Sequence, residues 1–195
     1  ITHWSIPSML VTTDAIVLSL QPHSDKAHLL HAYTRAGGRV NYMVYGLGRK
    51  NAAGKYTPLS IVQLTTDERS VRTAQLEFVP HSTVSDPYKR AIALFISEVL
   101  FHVLRHPMQD EPLYDFITQA ITELDSTSEP QNFHLLFLSG FAAKLGFAMP
   151  ETDTPLPTTR AERQKQLLAL CRYFAEHVET WQNPRSLDVL MEVFD

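Results

Sequence analysis

Along the first eighty residues the apolar positions come in short runs broken by turn formers. Asp14–Leu20 reads DAIVLSL and is followed by Gln21-Pro22-His23-Ser24-Asp25. Ala27–Tyr33 reads AHLLHAY and stops at Gly37-Gly38; Arg39–Tyr45 reads RVNYMVY and stops at Gly46. Leu59–Thr66 and Thr73–Val79 follow, the last closed by Pro80. Five short strands separated by turns predict a small barrel or sandwich. In RVNYMVY, side chains alternate between faces. Val40, Tyr42 and Val44 are expected in the core, and Arg39, Asn41, Met43 and Tyr45 toward solvent or a ligand.

Beyond residue 85 the period becomes helical. Asp86-Pro87 supplies a capping side chain and a proline for the first helical position. Ile92, Phe95, Ile96, Val99, Leu100 and Val103 then recur at helical spacing. Pro112 opens a second helix with Leu113, Phe116, Ile117, Ala120, Ile121 and Leu124 on one face. A third runs from about Gln131 to Leu145 and stops at Gly146, a residue suited to ending a helix. Thr159 and Glu162 form a capping-box pattern ahead of Leu167, Leu170, Cys171, Phe174 and Val178. A last short helix is predicted over Ser186–Phe194. The first helix is apolar almost all round and is expected to be the buried axis of a bundle. The predicted class is α+β: a barrel domain over 1–80, then an all-α domain over 81–195 with a Pro/Thr-rich loop around 149–158.

Charge follows the same division. The 195-residue chain carries −4 overall, but residues 1–80 sum to +3 and residues 81–195 to −7. That asymmetry points to an anionic partner for the first half. Lys26, Arg35, Arg39, Arg49, Lys50 and Lys55 fall close together, with Tyr33, Tyr42, Tyr45 and Tyr56 interleaved. Cations can track a phosphate backbone while aromatic faces stack bases, so these six are the candidate single-strand-binding residues. The competing reading is that the tyrosines simply pack a small core.

Other chemistry is thinner. One cysteine, Cys171, excludes a disulfide framework and any four-cysteine zinc site. Its place on an apolar helical face predicts packing, not nucleophilic work. No apolar run approaches the ~18 residues of a membrane helix, and no secretory signal is legible. Glu98, His102 and His106 are spaced along one helical face, a metal-compatible pattern that would suit a hydrolase. The competing reading is a polar stripe on an otherwise apolar helix. Gly46-Leu47-Gly48-Arg49-Lys50 reads as a basic hairpin loop, since no helix follows it to make a phosphate cradle. No nucleophile elbow or dinucleotide fingerprint is present, so no cofactor is predicted and an enzyme is the weaker class.

Several segments together resemble the bacterial DNA repair protein RecO family. Thr13–Leu18 resembles its opening strand. Ser24-Asp25-Lys26, then Tyr33-Thr34-Arg35-Ala36-Gly37-Gly38-Arg39, resembles its "ESD…LLT…GR" pattern. Tyr45–Lys50 resembles its glycine-basic stretch, and Tyr56–Ser60 the start of its fourth strand. Asp86–Phe95 and Asn132 through Phe147 resemble its helical core; Arg160–Arg163 and Ser186–Leu190 resemble its late helices. The likeness spans about residues 9–195. Ile1–Ser8 has no counterpart, and Met9 is a candidate natural start.

The resemblance implies an N-terminal OB barrel and a helical C-terminal domain. It implies a cytoplasmic, nucleoid-associated recombination mediator that binds and anneals single-stranded DNA without nucleotide hydrolysis. Implied partners are RecR, the tail of single-stranded-DNA-binding protein and, indirectly, RecA. Zinc-binding cysteines found in some members are missing here, so no metal is expected, and the region around Glu151–Thr158 is short for the family. An acidic, apolar-tipped tail needs an apolar pocket with a cation at its rim. Lys89, Arg90, Arg105 and Lys144 are the candidates for that cation, against a plainer reading as solvated helix ends. A generic OB-fold adaptor acting on RNA is the main alternative, separable by DNA-against-RNA competition.

Overall fold

Strand β1 (Val11–Ser24) sets the architecture because both its faces are apolar. The computed structural model describes residues 9–48, 53–150 and 155–193. Ala15 and Val17 point into a small barrel with Leu30, Ala32, Tyr42, Val44, Tyr56, Val62 and Leu64. Ile16 and Leu18 point the other way, into the core of the helical half. Every one of these side chains is less than a tenth exposed.

β1 pairs antiparallel with β2 (Ala27–Thr34) and with β4 (Ile61–Thr66); β3 (Gly38–Tyr45) and β5 (Val71–Phe78) flank them, in the order β3-β2-β1-β4-β5. A parallel bridge from Met43 to Ser70, with Met43 N–H donating to Arg69 O at 2.8 Å, joins β3 to the start of β5. Five antiparallel strands brought round to a parallel contact give the OB-type barrel expected from the strand pattern. A 3-10 turn, Ala53–Tyr56, drops Tyr56 into the barrel core between β3 and β4.

The helical half begins with a single turn, α1 (Ser82–Ser85), which the sequence pattern did not announce. α2 (Pro87–Val103) starts at the Asp86 cap, whose carboxylate accepts from Tyr88 and Lys89 N–H, and is buried along most of its length. α3 (Glu111–Ser126), α4 (Phe133–Lys144), α5 (Arg160–His177) and α6 (Leu187–Val193) pack around it. The Thr159–Glu162 capping box forms as its spacing predicts. Gly146 sits at φ 91, the left-handed conformation that closes α4. No helix among the described residues is long and apolar enough to cross a membrane.

Barrel and helices share one continuous junction. Ser97 Oγ donates to Leu18 O at 2.9 Å, and Tyr33 stacks on Tyr114 with ring centroids 6.3 Å apart. Gly38, at φ 67, lies so near the loop after α2 that a Cβ there would stand 2.3 Å from Met108 O. Only glycine satisfies both the backbone angle and that approach.

Candidate nucleic-acid interface

The outer face of β3 runs from the junction to the open end of the barrel as Arg39, Asn41, Met43 and Tyr45. The sequence pattern places all four toward solvent or ligand, and the structure corrects the first. Arg39 is buried beneath the end of α2. Its Nη1 donates to Phe101 O at 2.9 Å and Leu104 O at 3.0 Å, two terminal carbonyls of α2. Its Nη2 lies 3.1 Å from His31 Nδ1, and its guanidinium stacks 4.6 Å over the Phe101 ring. Burial, reinforced by the nearby Arg105 charge, pushes its pKa down to about 10. A cation so committed caps a helix C-terminus; it is not offered to a phosphate. Asn41 and Tyr45 are exposed, Tyr45 by 60%, and Met43 is half-buried.

Arg35 is drawn into the same junction. It lies 2.5 Å from Asp115, 3.9 Å from Glu111 and 4.0 Å from Asp14, and over the Tyr114 ring. The hydrogen bond to Asp115 raises its pKa further. Three solvent-accessible carboxylates, one of them in close contact, thus face the Arg35 charge.

The opposite end of the barrel is different. Lys26 is exposed on the β1–β2 turn, beside Tyr45 and the stem Gly46–Gly48, around a depression of about 470 Å³. His28 forms part of its wall. Gly46, at φ 75, turns the chain out of β3 into the glycine-basic loop. Arg49 and Lys50 in that loop lie outside the described residues. Lys55 is exposed, and its Nζ donates to Ala74 O at 2.8 Å.

One further exposed cation is not singled out by the sequence pattern. Arg69 is exposed on the β4–β5 turn, and its carbonyl bonds β3 at Met43. Asp67 shapes that turn: its Oδ1 accepts from Arg69 N–H at 2.8 Å and Ser70 N–H at 2.7 Å, which holds its carboxyl down at about 2. Asp67 also pairs with Arg72 at 2.5 Å, so Arg72 is neutralised while Arg69 has no carboxylate partner among the described ion pairs. Barrel closure brings Arg69 to β3, and only a β3–β5 pairing prediction could have revealed it.

The four docking candidates also divide. Lys89 is buried, and its Nζ donates to Asp125 O at 2.7 Å, holding the end of α3. Arg90 donates to Thr83 O at 3.1 Å and to Val84 O, closing α1. Lys89 is thereby withdrawn from the surface, whereas Arg90 holds α1 from an exposed position. Arg105 and Lys144 remain exposed. A pocket of about 400 Å³ with a mixed lining opens between β1, α2 and the chain before α6: Leu94 and Phe101 stand on its wall beside polar Gln21, Glu98, His102 and Asn183, with Arg185 at its edge.

Glu98, His102 and His106 do not form a ligand set. α2 ends at Val103, so His106 leaves the helical face, and Glu98 Oε2 accepts from Ser186 N–H and Oγ at 3.0 and 2.9 Å. No group of three or more His, Cys, Asp or Glu among the described residues is placed to hold a metal. Cys171 is buried, and burial pushes its thiol up to about 11.

Comparison with known proteins agrees with this two-part architecture. The N-terminal model of recombination protein O matches residues 9–81, and its C-terminal model matches 84–161. The DNA repair protein RecO of Porphyromonas gingivalis is 31% identical over 152 residues, covering 71% of this chain and 61% of that protein. The chain's match thus spans less than two thirds of that relative's length. RecO proteins of Flavobacterium johnsoniae and Bacteroides fragilis are each 26% identical, across 236 and 243 aligned positions. Those alignments cover 95% and 96% of this chain and the whole of each relative. They are longer than the chain, so both relatives carry residues with no counterpart here. With both halves matched in order and the relatives aligned from nearly one end to the other, the chain belongs to the RecO family of DNA repair proteins.

Proposed function

We propose that the protein is a non-enzymatic recombination mediator that binds and anneals single-stranded DNA through the open end of its barrel. The observation that carries this reading is the exposed Lys26–Tyr45 pair beside the stem of the basic loop, with Arg69 on the β4–β5 turn bonded through its carbonyl to Met43, two residues back along β3 from Tyr45. Lys26, Lys55, Arg69 and the loop's Arg49 and Lys50 neutralise phosphates and release counterions, while Tyr45 offers a face to a base. Two strands screened in this way keep their base edges free to pair. Arg35 and Arg39 hold the barrel to the helices and lie outside this interface.

In this reading the protein works in the cytoplasm with RecR to load RecA onto DNA coated by single-stranded-DNA-binding protein. The acidic tail of that protein docks in the Leu94–Phe101 pocket with Arg185 at its edge, Arg105 close by over Phe101 and Lys144 as an outlying cation. Binding of a fluorescent oligothymidylate as a function of salt tests the DNA interface. Replacing Lys26 and Arg69 together by alanine should flatten the log–log salt slope by about 0.7 per lost contact. Tyr45→Ala should weaken binding with little change in slope. An unchanged affinity and slope in the double variant refutes the assignment, and an RNA oligomer outcompeting DNA refutes the substrate.

A further inference from the structure

A second groove lies on the far side of the helical half, between α3 and α4, with a volume of about 530 Å³. Its floor is aromatic: Phe116 stacks on Phe137 with centroids 5.7 Å apart. Gly140 makes that floor possible, because a Cβ there would press within 2.9 Å of the Phe116 ring. Leu136 on α4 and Leu156 on the approach to α5 flank it, 55% and 52% exposed. Asn132 Nδ2 donates to Pro157 O at 3.0 Å and so fixes the segment that presents Leu156. The two half-exposed leucines flank the aromatic floor and leave apolar side chains at the surface for a partner to bury.

The electrostatics of the groove choose the occupant. Glu123 and Glu129 stand exposed on its rim, and no Lys, Arg or His lies among the described residues that line it. The C-terminal end of α3, at Ser126 and Thr127, opens onto the same groove and has no basic residue in its last turn. Lys89 reaches the Asp125 carbonyl from the buried side and does not line the groove. Two carboxylates and a helix C-terminus therefore set a negative potential over an apolar floor. That is opposite to the cation-rimmed pocket an acidic tail requires.

We infer that the α3–α4 groove is a docking site for a partner-protein segment that inserts apolar side chains between Leu136 and Leu156 and sets lysine or arginine against Glu123 and Glu129. The apolar contacts hold the segment, and the charges speed its arrival and reject acidic competitors. The inference stands on the helical half alone and does not depend on the DNA-binding reading.

The test uses the full chain and two fluorescein-labelled peptides of identical leucine pattern, one with lysine and one with glutamate at the polar positions. Fluorescence polarisation should show saturable binding of the lysine peptide and weaker or no binding of the glutamate peptide. Leu136→Asp, and independently Leu156→Asp, should weaken the lysine peptide by about tenfold or more. Glu123→Lys with Glu129→Lys should reverse the preference. Far-UV circular dichroism checks that each variant is folded, and the two leucines sit on different segments, so misfolding of one leaves the other decisive. The inference is overturned by absence of saturation up to about 1 mM. Binding indifferent to both leucine substitutions, which is attraction to the acidic surface at large, also overturns it, as does a wild-type preference for the glutamate peptide. Oligothymidylate affinity measured on the same variants should not move, which keeps the two readings separately testable.

Discussion

Arg39→Ala separates a junction residue from a DNA-binding residue. In the folded protein the guanidinium makes two short charge-assisted hydrogen bonds, to Phe101 O and Leu104 O. Each such bond contributes about 1.5–3 kcal/mol. Against this stands the cost of burying the cation. The descent of its pKa from 12.5 to about 10 corresponds to about 3 kcal/mol, at about 1.4 kcal/mol per unit. Removing the side chain returns that cost, but it leaves two helix-terminal carbonyls unpaired, strips Phe101 of its stacking partner and opens a gap beside His31. The net loss should be about 2–4 kcal/mol. For a chain of this length that lowers the melting temperature by roughly 5–15 °C. Arg39→Lys keeps the charge but cannot fork across both carbonyls, so it should fall between. Melting followed by circular dichroism measures the loss, and oligothymidylate affinity is taken at a temperature where both proteins are folded. Affinity should then match wild type. A variant that melts normally but binds the oligonucleotide weakly would return Arg39 to the interface and refute this account of the junction.

Arg35→Ala removes an exposed ion-pair set and should cost no more than about 1 kcal/mol, with oligonucleotide affinity unchanged, in the same melting and polarisation assays. Gly38→Ala adds a Cβ against Met108 O at a positive φ. It should destabilise by about 2 kcal/mol or more, and an unaltered melt would contradict the close approach. His134 is buried, and desolvation followed by the Arg163 charge lowers its pKa to about 4. The unfolded chain therefore takes up this proton first. The stability is present in full above about pH 6.5 and declines as pH falls toward 4, by up to about 3 kcal/mol. Urea unfolding at pH 7 and pH 4.5 should show the decline, and His134→Gln should reduce it.

The strands and helices were legible because their ends are marked by side chains with one physical role each. Asp86 and Thr159 satisfy free N–H groups, and Gly146 takes the angle that stops a helix. β1 continues to Ser24, past Pro22, which in the sequence resembles a stop. Toward its C-terminal end β1 pairs only with β2, having parted from β4 at Ile16, and there a missing N–H costs little. The site was less legible than the fold. Alternation along RVNYMVY says which side chains leave the barrel interior, but not what lies outside. Arg39 and Tyr45 have the same parity; one meets α2 and the other solvent. Lys89 and Arg90 look like free cations in the sequence for the same reason, since the carbonyls they satisfy are six to thirty-six residues away.

The distribution of charge follows from how the two halves join. The helical half carries a net −7, and it presents Asp115, Glu111 and the carbonyl end of α2 to the end of the barrel where Arg35 and Arg39 emerge. Positive charge at that end is consumed in holding the domains together. What remains uncommitted is at the other end, where Lys26 and Tyr45 meet the loop stem, and along β3 where Arg69 arrives by barrel closure. In the proposed function a polyanion approaching the whole molecule is repelled by the helices and drawn to the barrel end they do not cover. In the proposed interface the strand crosses Asn41, Met43 and Tyr45 on the outer face of β3 and stops short of Arg39. The junction that removes Arg39 from the site is thus also what gives the site its boundary.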